Sequence, residues 1–253
     1  MKIVVDGIMT EYEAAGNGKV VLFLHGWGSS SKVFEEMSGE LKKKYRVVAL
    51  NMPGFGGTDE PPSAWGVEDY VEFVTKFIEK LKLKKVYAVV GHSFGGRVML
   101  KGFGEGKLEA DKLVFMGSGG IKRKRSVKMR AYGAAAKAGR AVSKLPGVKS
   151  YAKLMRIKLY GAAGATDFVN ASEGMREVFR NVVAEDLKRY IEKIEQPSLV
   201  IWGANDTDTP AKDAYEFKRI RDSRVHILND AGHYVFLERP EECLKLVKEF
   251  LAK

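Results

Sequence analysis

Gly91-His92-Ser93-Phe94-Gly95 is the stretch that decides how this chain is read. It follows an apolar run, Val86, Ala88, Val89 and Val90, and precedes a helical pattern, so a serine stands at a sharp strand-to-helix turn. That is where an activated serine nucleophile belongs. A side chain on such an elbow is held in a strained backbone conformation. Gly91 and Gly95, two residues either side, lack the Cβ atoms that would collide across the turn. Small-residue turns are common, so the pattern gains weight only from partners elsewhere in the chain.

Working outward, apolar and β-branched runs recur at Val20 to Leu24, Tyr45 to Leu50, Lys85 to Val90, Lys112 to Met116, Ser198 to Trp202 and Arg224 to Leu228. Helical patterns such as Val67 to Leu81 separate them, an alternation that implies a parallel sheet covered by helices on both faces. Two earlier runs, Lys2 to Val5 and Thr10 to Ala14, read as an antiparallel start closed by Gly16-Asn17-Gly18, giving about eight strands. Between Gly119 and Glu195 the alternation gives way to Ala-rich and Lys-rich helical stretches broken by Pro146-Gly147 and Gly161-Ala162-Ala163-Gly164. The expected organisation is an α/β core of residues 1–118 and 196–253 with an inserted helical cap, 119–195, roofing the carboxyl ends of the strands.

The 253 residues suit one such α/β unit, and 45% hydrophobic with 30% charged residues is an ordinary globular balance. No apolar run reaches membrane-spanning length, and the N-terminus turns polar too soon for a secretory signal, so the chain reads as cytoplasmic. The one cysteine, Cys243, sits among Leu244, Val247 and Phe250 of an amphipathic C-terminal helix, where a half-buried apolar role without chemistry is expected.

Net charge is +11, and the excess is local: Lys112 is followed by thirteen more Lys or Arg before Asp167, with no acid between. A solvated face on the inserted segment is the plain reading of that run. Recruitment of an anionic substrate or an anionic surface is the functional one. No nucleic-acid reader motif accompanies the charge.

A serine hydroxyl needs a base within hydrogen-bond reach, itself oriented by an acid. Of the four histidines, His92 adjoins the serine and should point elsewhere, His226 lies inside a strand-like run, and His25 ends the third strand in a structural setting. His233, in Asp230-Ala231-Gly232-His233-Tyr234 after the last strand, is the candidate base. For the acid, Asp206 and Asp208 compete in the segment that follows Ser198 to Ile201. Asp206 is favoured as the first carboxylate beyond the strand, giving the chain order Ser, Asp, His. The alternative for either aspartate is a cap or turn near Pro210.

The chain resembles the α/β-hydrolase fold superfamily in its capped, esterase-like branch. Four blocks carry the likeness: His25-Gly26-Trp27-Gly28; Asn51-Met52-Pro53-Gly54-Phe55-Gly56-Gly57-Thr58; the elbow Gly91 to Gly96; and the Asp206 and His233 segments, the last continuing into Glu238-Arg239-Pro240-Glu241. The resemblance implies Ser93 as nucleophile, His233 as general base and then acid, Asp206 as its orienting carboxylate, and backbone N–H groups of Trp27 and Phe94 as the oxyanion hole. Relatives often carry an aspartate where this chain has Asn51 and a serine where it has Thr58, a departure expected to touch loop support rather than chemistry.

A serine at the elbow suits acyl transfer and argues against the aspartate displacement of dehalogenase-like and epoxide hydrolase-like branches. The His25 loop lacks the glycine run of lipases for bulky alcohols, so small to medium carboxylic esters or lactones are the expected substrates. The acid-free start of the cap disfavours an aminopeptidase-like role. Carbon-carbon bond hydrolysis of an anionic dienoate or diketone is the alternative chemistry, and a non-catalytic ligand-binding protein on the same fold is the non-enzymatic one. No metal or organic cofactor is implied.

Overall fold

The computed structural model describes residues 1–122 and 171–253. Their sheet has eight strands: β1 (Lys2–Val5), β2 (Ile8–Ala15), β3 (Val20–Leu24), β4 (Arg46–Leu50), β5 (Val86–His92), β6 (Lys112–Met116), β7 (Ser198–Gly203) and β8 (Ser223–Leu228). The spatial order is β1-β2-β4-β3-β5-β6-β7-β8; the β1–β2 and β2–β4 pairs are antiparallel and the other pairs parallel. Because β4 returns across β3 to reach β5, the order reverses at β3, and the crevice beyond the carboxyl ends of β3 and β5 is the topological switch point where such sheets bind ligands.

β3 is buried at every position, Val20 through Leu24, as a parallel strand covered on both faces must be. Its side chains divide with period two. Val21 and Phe23 join Val47, Ala49, Ala88, Val90, Val114, Met116, Leu199 and Ile201 on one face, packed against Phe34, Met37, Leu41, Phe236, Val247 and Phe250. Those partners come from α1 (Glu35–Leu41), the turn before it, and two C-terminal helices. On the other face α2 (Val67–Lys80) and α3 (Phe94–Gly104) lie together. α2 begins where Asp69 Oδ2 accepts the Gly66 N–H at 2.7 Å, and it buries Val67, Tyr70, Val71, Phe73, Val74 and Phe77, the spacing of one helical stripe.

α4 (Glu173–Ala184) precedes a short 3-10 helix at Lys188–Lys193, and α5 (Val235–Glu238) leads into α6 (Pro240–Ala252). α6 opens with Pro at its first turn and Glu241 and Glu242 behind it, a favourable start for a helix dipole. Cys243 is fully buried rather than half-buried, with its Sγ 3.4 Å from the Val235 carbonyl. It faces the sheet on the apolar side of α6, and burial pushes the thiol up to about 12.

The chain divides into two compact units, one of Met1–Lys122 with Arg180–Lys253 and one of Arg123–Phe179. Residues 119–122 and 180–195, expected within the insertion, belong to the unit that carries the sheet. The Lys122-Arg123-Lys124-Arg125 run lies outside the described residues apart from Lys122, and so does the rest of the acid-free stretch, to Thr166. Among the described residues no helix is long and apolar enough to cross a membrane.

Candidate active site

Ser93 stands between β5 and α3 with φ 47° and ψ −101°, a left-handed backbone that a residue with a Cβ seldom adopts. The surroundings hold it there. Its N–H donates to Met116 O at 3.1 Å, and its carbonyl accepts from Gly119 N at 2.9 Å and Arg97 N at 3.2 Å. The flanking glycines have the steric role expected of them. A Cβ on Gly95 would collide with the Leu24 carbonyl, and one on Gly91 would strike Met99 and come within 2.9 Å of the Gly95 backbone.

Asp206 follows β7 and is 4% exposed. Its Oδ1 accepts N–H bonds from Asp208 at 2.9 Å and Thr209 at 2.8 Å, and its Oδ2 lies 2.8 Å from the Thr209 hydroxyl. The same Oδ2 is 2.9 Å from Nδ1 of His233. Burial pushes the Asp206 carboxyl up, but the hydrogen bond and charge interaction with His233, joined by the Thr209 bonds, outweigh it and hold the carboxyl below the usual aspartate value. The geometry thus pairs His233 with Asp206, while Asp208 contributes a backbone N–H.

His233 hangs from the loop after β8. Glu238 spans that loop, accepting the N–H of Gly232 at 2.7 Å and of Tyr234 at 3.2 Å. Asn205 N–H donates to Ala231 O at 2.8 Å. Among the described residues the Ser93 hydroxyl makes no hydrogen bond. Hydroxyl–imidazole contacts of this kind are often long in a free enzyme and tighten around substrate.

Phe94 N–H is the first of α3 and has no helical acceptor, whereas Gly95 N–H is taken by His25 O at 3.0 Å. The Trp27 ring packs edge-on against Phe55 at 4.8 Å and Phe94 at 5.4 Å, seating the β3 loop against the start of α3. Gly26 lets that loop approach the elbow, because a Cβ there would lie 2.7 Å from His92 Nδ1 and 3.4 Å from Ser93 Cβ.

His25 is structural. Its Nε2 accepts the Met52 N–H at 3.0 Å, so the proton sits on Nδ1, which donates to Gly26 O at 2.7 Å. Burial lowers its pKa to about 4. His226 lies half-buried within β8.

Asn51 Oδ1 accepts the Ser31 N–H at 2.6 Å and its carbonyl accepts the Thr58 hydroxyl at 2.7 Å. The departures at 51 and 58 therefore join one another in supporting the loop.

Three supports were not apparent beforehand. Thr209 and Glu238 each leave a faint signal, a hydroxyl three residues after an aspartate and a carboxylate five residues after a histidine. Gly117, with φ 49°, lies where a Cβ would come within 3.3 Å of Asp206 Oδ2 and 3.4 Å of His233 Nδ1. Among the described residues no cluster of His, Cys, Asp and Glu is placed to hold a metal ion. Two grooves of about 520 and 610 Å³ open at the amino-terminal end of β5, and neither is lined by Ser93, Asp206 or His233.

Residues 19–240 match the family model described as alpha/beta hydrolase fold, and the chain belongs to that family. Among curated relatives, the 2-hydroxy-6-oxo-6-(2'-aminophenyl)hexa-2,4-dienoic acid hydrolase of Metapseudomonas resinovorans is 27% identical over 263 residues, covering 98% of this chain and 89% of its own. The enol-lactonase from Burkholderia xenovorans superposes with TM-score 0.77 at 20% identity over 100% of both chains. An esterase from Exiguobacterium antarcticum superposes with TM-score 0.77 at 21% identity, covering 100% of this chain and 99% of its own. The fold and the family are those of the alpha/beta hydrolases.

Proposed function

We propose that the protein is a serine hydrolase that cleaves small to medium carboxylic esters or lactones through an acyl-enzyme on Ser93. The observation that carries the reading is the buried Asp206 carboxylate 2.9 Å from His233 Nδ1, together with a serine held at φ 47° directly after His92, whose ring lies 4.7 Å from that of His233.

In the mechanism, Asp206 fixes the proton of His233 on Nδ1, leaving Nε2 as the base. His233 takes the Ser93 proton as the oxygen attacks the substrate carbonyl. The negative oxygen that develops is met by the N–H groups of Phe94 and Trp27, each such donor contributing about 3 to 4 kcal/mol to the transition state. The imidazolium then protonates the leaving alcohol, and water, activated by the same ring, cleaves the acyl-enzyme. The acid-base part supplies roughly a hundred to ten thousand fold. The part of the insertion 119–195 that lies outside the sheet-bearing unit acts as the cap that selects what enters, and the cationic stretch from Lys112 onward favours anionic substrates or an anionic surface.

Carbon-carbon bond hydrolysis is the second reading. It is favoured by the dienoic acid hydrolase relative, whose name gives an acid as its substrate, alongside the cationic stretch. One experiment sorts these outcomes: burst kinetics on a short-chain p-nitrophenyl ester, followed by a panel of acyl lengths, lactones and dienoates, on the wild type and Ser93→Ala. The ester reading expects a burst that Ser93→Ala abolishes. Undiminished turnover in the variant refutes it, and a preference for dienoates moves the assignment to the second chemistry.

A further inference from the structure

The nucleophile's strand and the base's loop meet at a residue that the proposed chemistry leaves unused. His92, the last residue of β5, is fully buried. Its ring lies 4.7 Å from the ring of His233, 4.8 Å from Tyr234 and 5.1 Å from Phe236. Nε2 is 3.1 Å from the carbonyl oxygen of His233. A carbonyl only accepts, so Nε2 carries the proton and Nδ1 a lone pair. Among the described residues that lone pair has no hydrogen-bond partner, and it faces the Gly26 backbone too closely for a Cβ to fit between.

An unpaired buried acceptor is a cost that an apolar ring of similar shape would avoid. What the imidazole provides in return is its donor, and that donor is spent on the residue bearing the candidate base. Glu238 ties the residues on either side of His233, and Asn205 ties Ala231. Among these ties, the bond from His92 is the one made from the strand that carries Ser93.

We propose that His92 is a positioning residue: by donating Nε2–H to the carbonyl of His233, it sets the reach of the imidazole toward Ser93 from the nucleophile's own strand. The inference rests on the roles given above to Ser93 and His233. Burial, followed by the nearby His233, lowers the pKa of His92 to about 3, which keeps the ring neutral and singly protonated at working pH. An error of about 1 Å in placing a catalytic group costs on the order of a hundredfold in rate.

The test is the rate constant for phosphonylation of Ser93 by a fluorophosphonate, with kcat and KM on a p-nitrophenyl ester, for the wild type, His92→Phe and His92→Gln. The glutamine amide reaches the position of Nε2 and can donate, whereas phenylalanine fills the space without donating. His92→Phe should lower the rate constant and kcat by about ten- to a hundredfold with KM within about twofold, and His92→Gln should recover most of the loss. A His92→Phe protein that labels within about threefold of wild type overturns the proposal, as does a His92→Gln protein as slow as His92→Phe. A wild type that does not label removes the functional reading first and the proposal with it. Should His92→Phe not fold, the imidazole nitrogen resonances of the wild type decide: a proton on Nε2 of His92 supports the bond, and a proton on Nδ1 instead overturns it.

Discussion

The side-chain amide of Asn51 donates to Glu11 Oε2 at 2.8 Å, joining the loop after β4 to β2. The same oxygen accepts Gly57 N–H at 2.9 Å, so a carboxylate from the neighbouring strand ties both ends of this loop. Asn51→Asp would set two carboxylates against each other and remove a donor. A loss of about 1 to 3 kcal/mol is expected, read from the urea midpoint. Adding Glu11→Gln should restore part of it. A single variant as stable as wild type would show that the amide–carboxylate contact contributes nothing.

Asp206 and Asp208 differ in what they present to the base. Asp206 offers Oδ2 to His233, while Asp208 offers its main-chain N–H to Asp206. Asp206→Asn should leave the melting temperature within a few degrees and lower kcat/KM by up to about ten thousandfold, because the amide can no longer fix the imidazole tautomer or stabilise its charge. Asp208→Asn should stay within a few fold. If the second variant is the damaged one, Asp206 is not the acid.

These two aspartates also mark how far the residues could be read unaided. The strands were legible because the parallel runs at the centre of the sheet are apolar or nearly so, and β3 and β6 fall on their expected bounds. The elbow was legible because its glycines answer a local steric need. Asp206 is marked by its place after β7 and by chain order, both readable along the sequence. Glu238 and Thr209 bond within their own loops and leave only faint spacings, whereas His92 bonds to the main chain of a distant loop, which leaves no period in the sequence. The His92 bond spans 141 positions. Cys243 was placed too near the surface because helical amphipathicity gives the buried face but not how deeply α6 sits on the sheet.

The backbone of Ser93 offers a separate handle on the elbow. A residue with a Cβ at φ 47° and ψ −101° carries strain of about 1 to 3 kcal/mol, which glycine relieves. Glycine also loosens the unfolded chain, at a cost of roughly 0.4 to 1 kcal/mol. Ser93→Gly should therefore be more stable than Ser93→Ala by about 1 kcal/mol, although both lack the nucleophile. Chemical denaturation of the two purified variants measures the difference. An alanine variant that is the more stable of the pair would mean that the elbow stores no strain.

Acid should unfold the protein earlier than its carboxylates alone require. His25 and His92 are buried neutral, with pKa values lowered from 6.5 to about 4 and about 3. Between about pH 6.5 and those values the unfolded chain binds protons that the folded chain refuses, so stability falls as pH drops through this window and is fully present above it. Each group contributes a slope of up to about 1.4 kcal/mol per pH unit, and the two together about twice that. Asp206, whose carboxyl is held low, adds a further loss in the same direction once the pH falls below about 4. The measurement is urea unfolding from pH 8 to pH 4 on the wild type and on His92→Gln, which has no imidazole at position 92 to protonate. The variant should lose stability more gently below pH 6.5 by up to one proton's worth of slope. Identical slopes would mean that His92 is not buried neutral, and the tautomer assigned to its bond with His233 would fall with it.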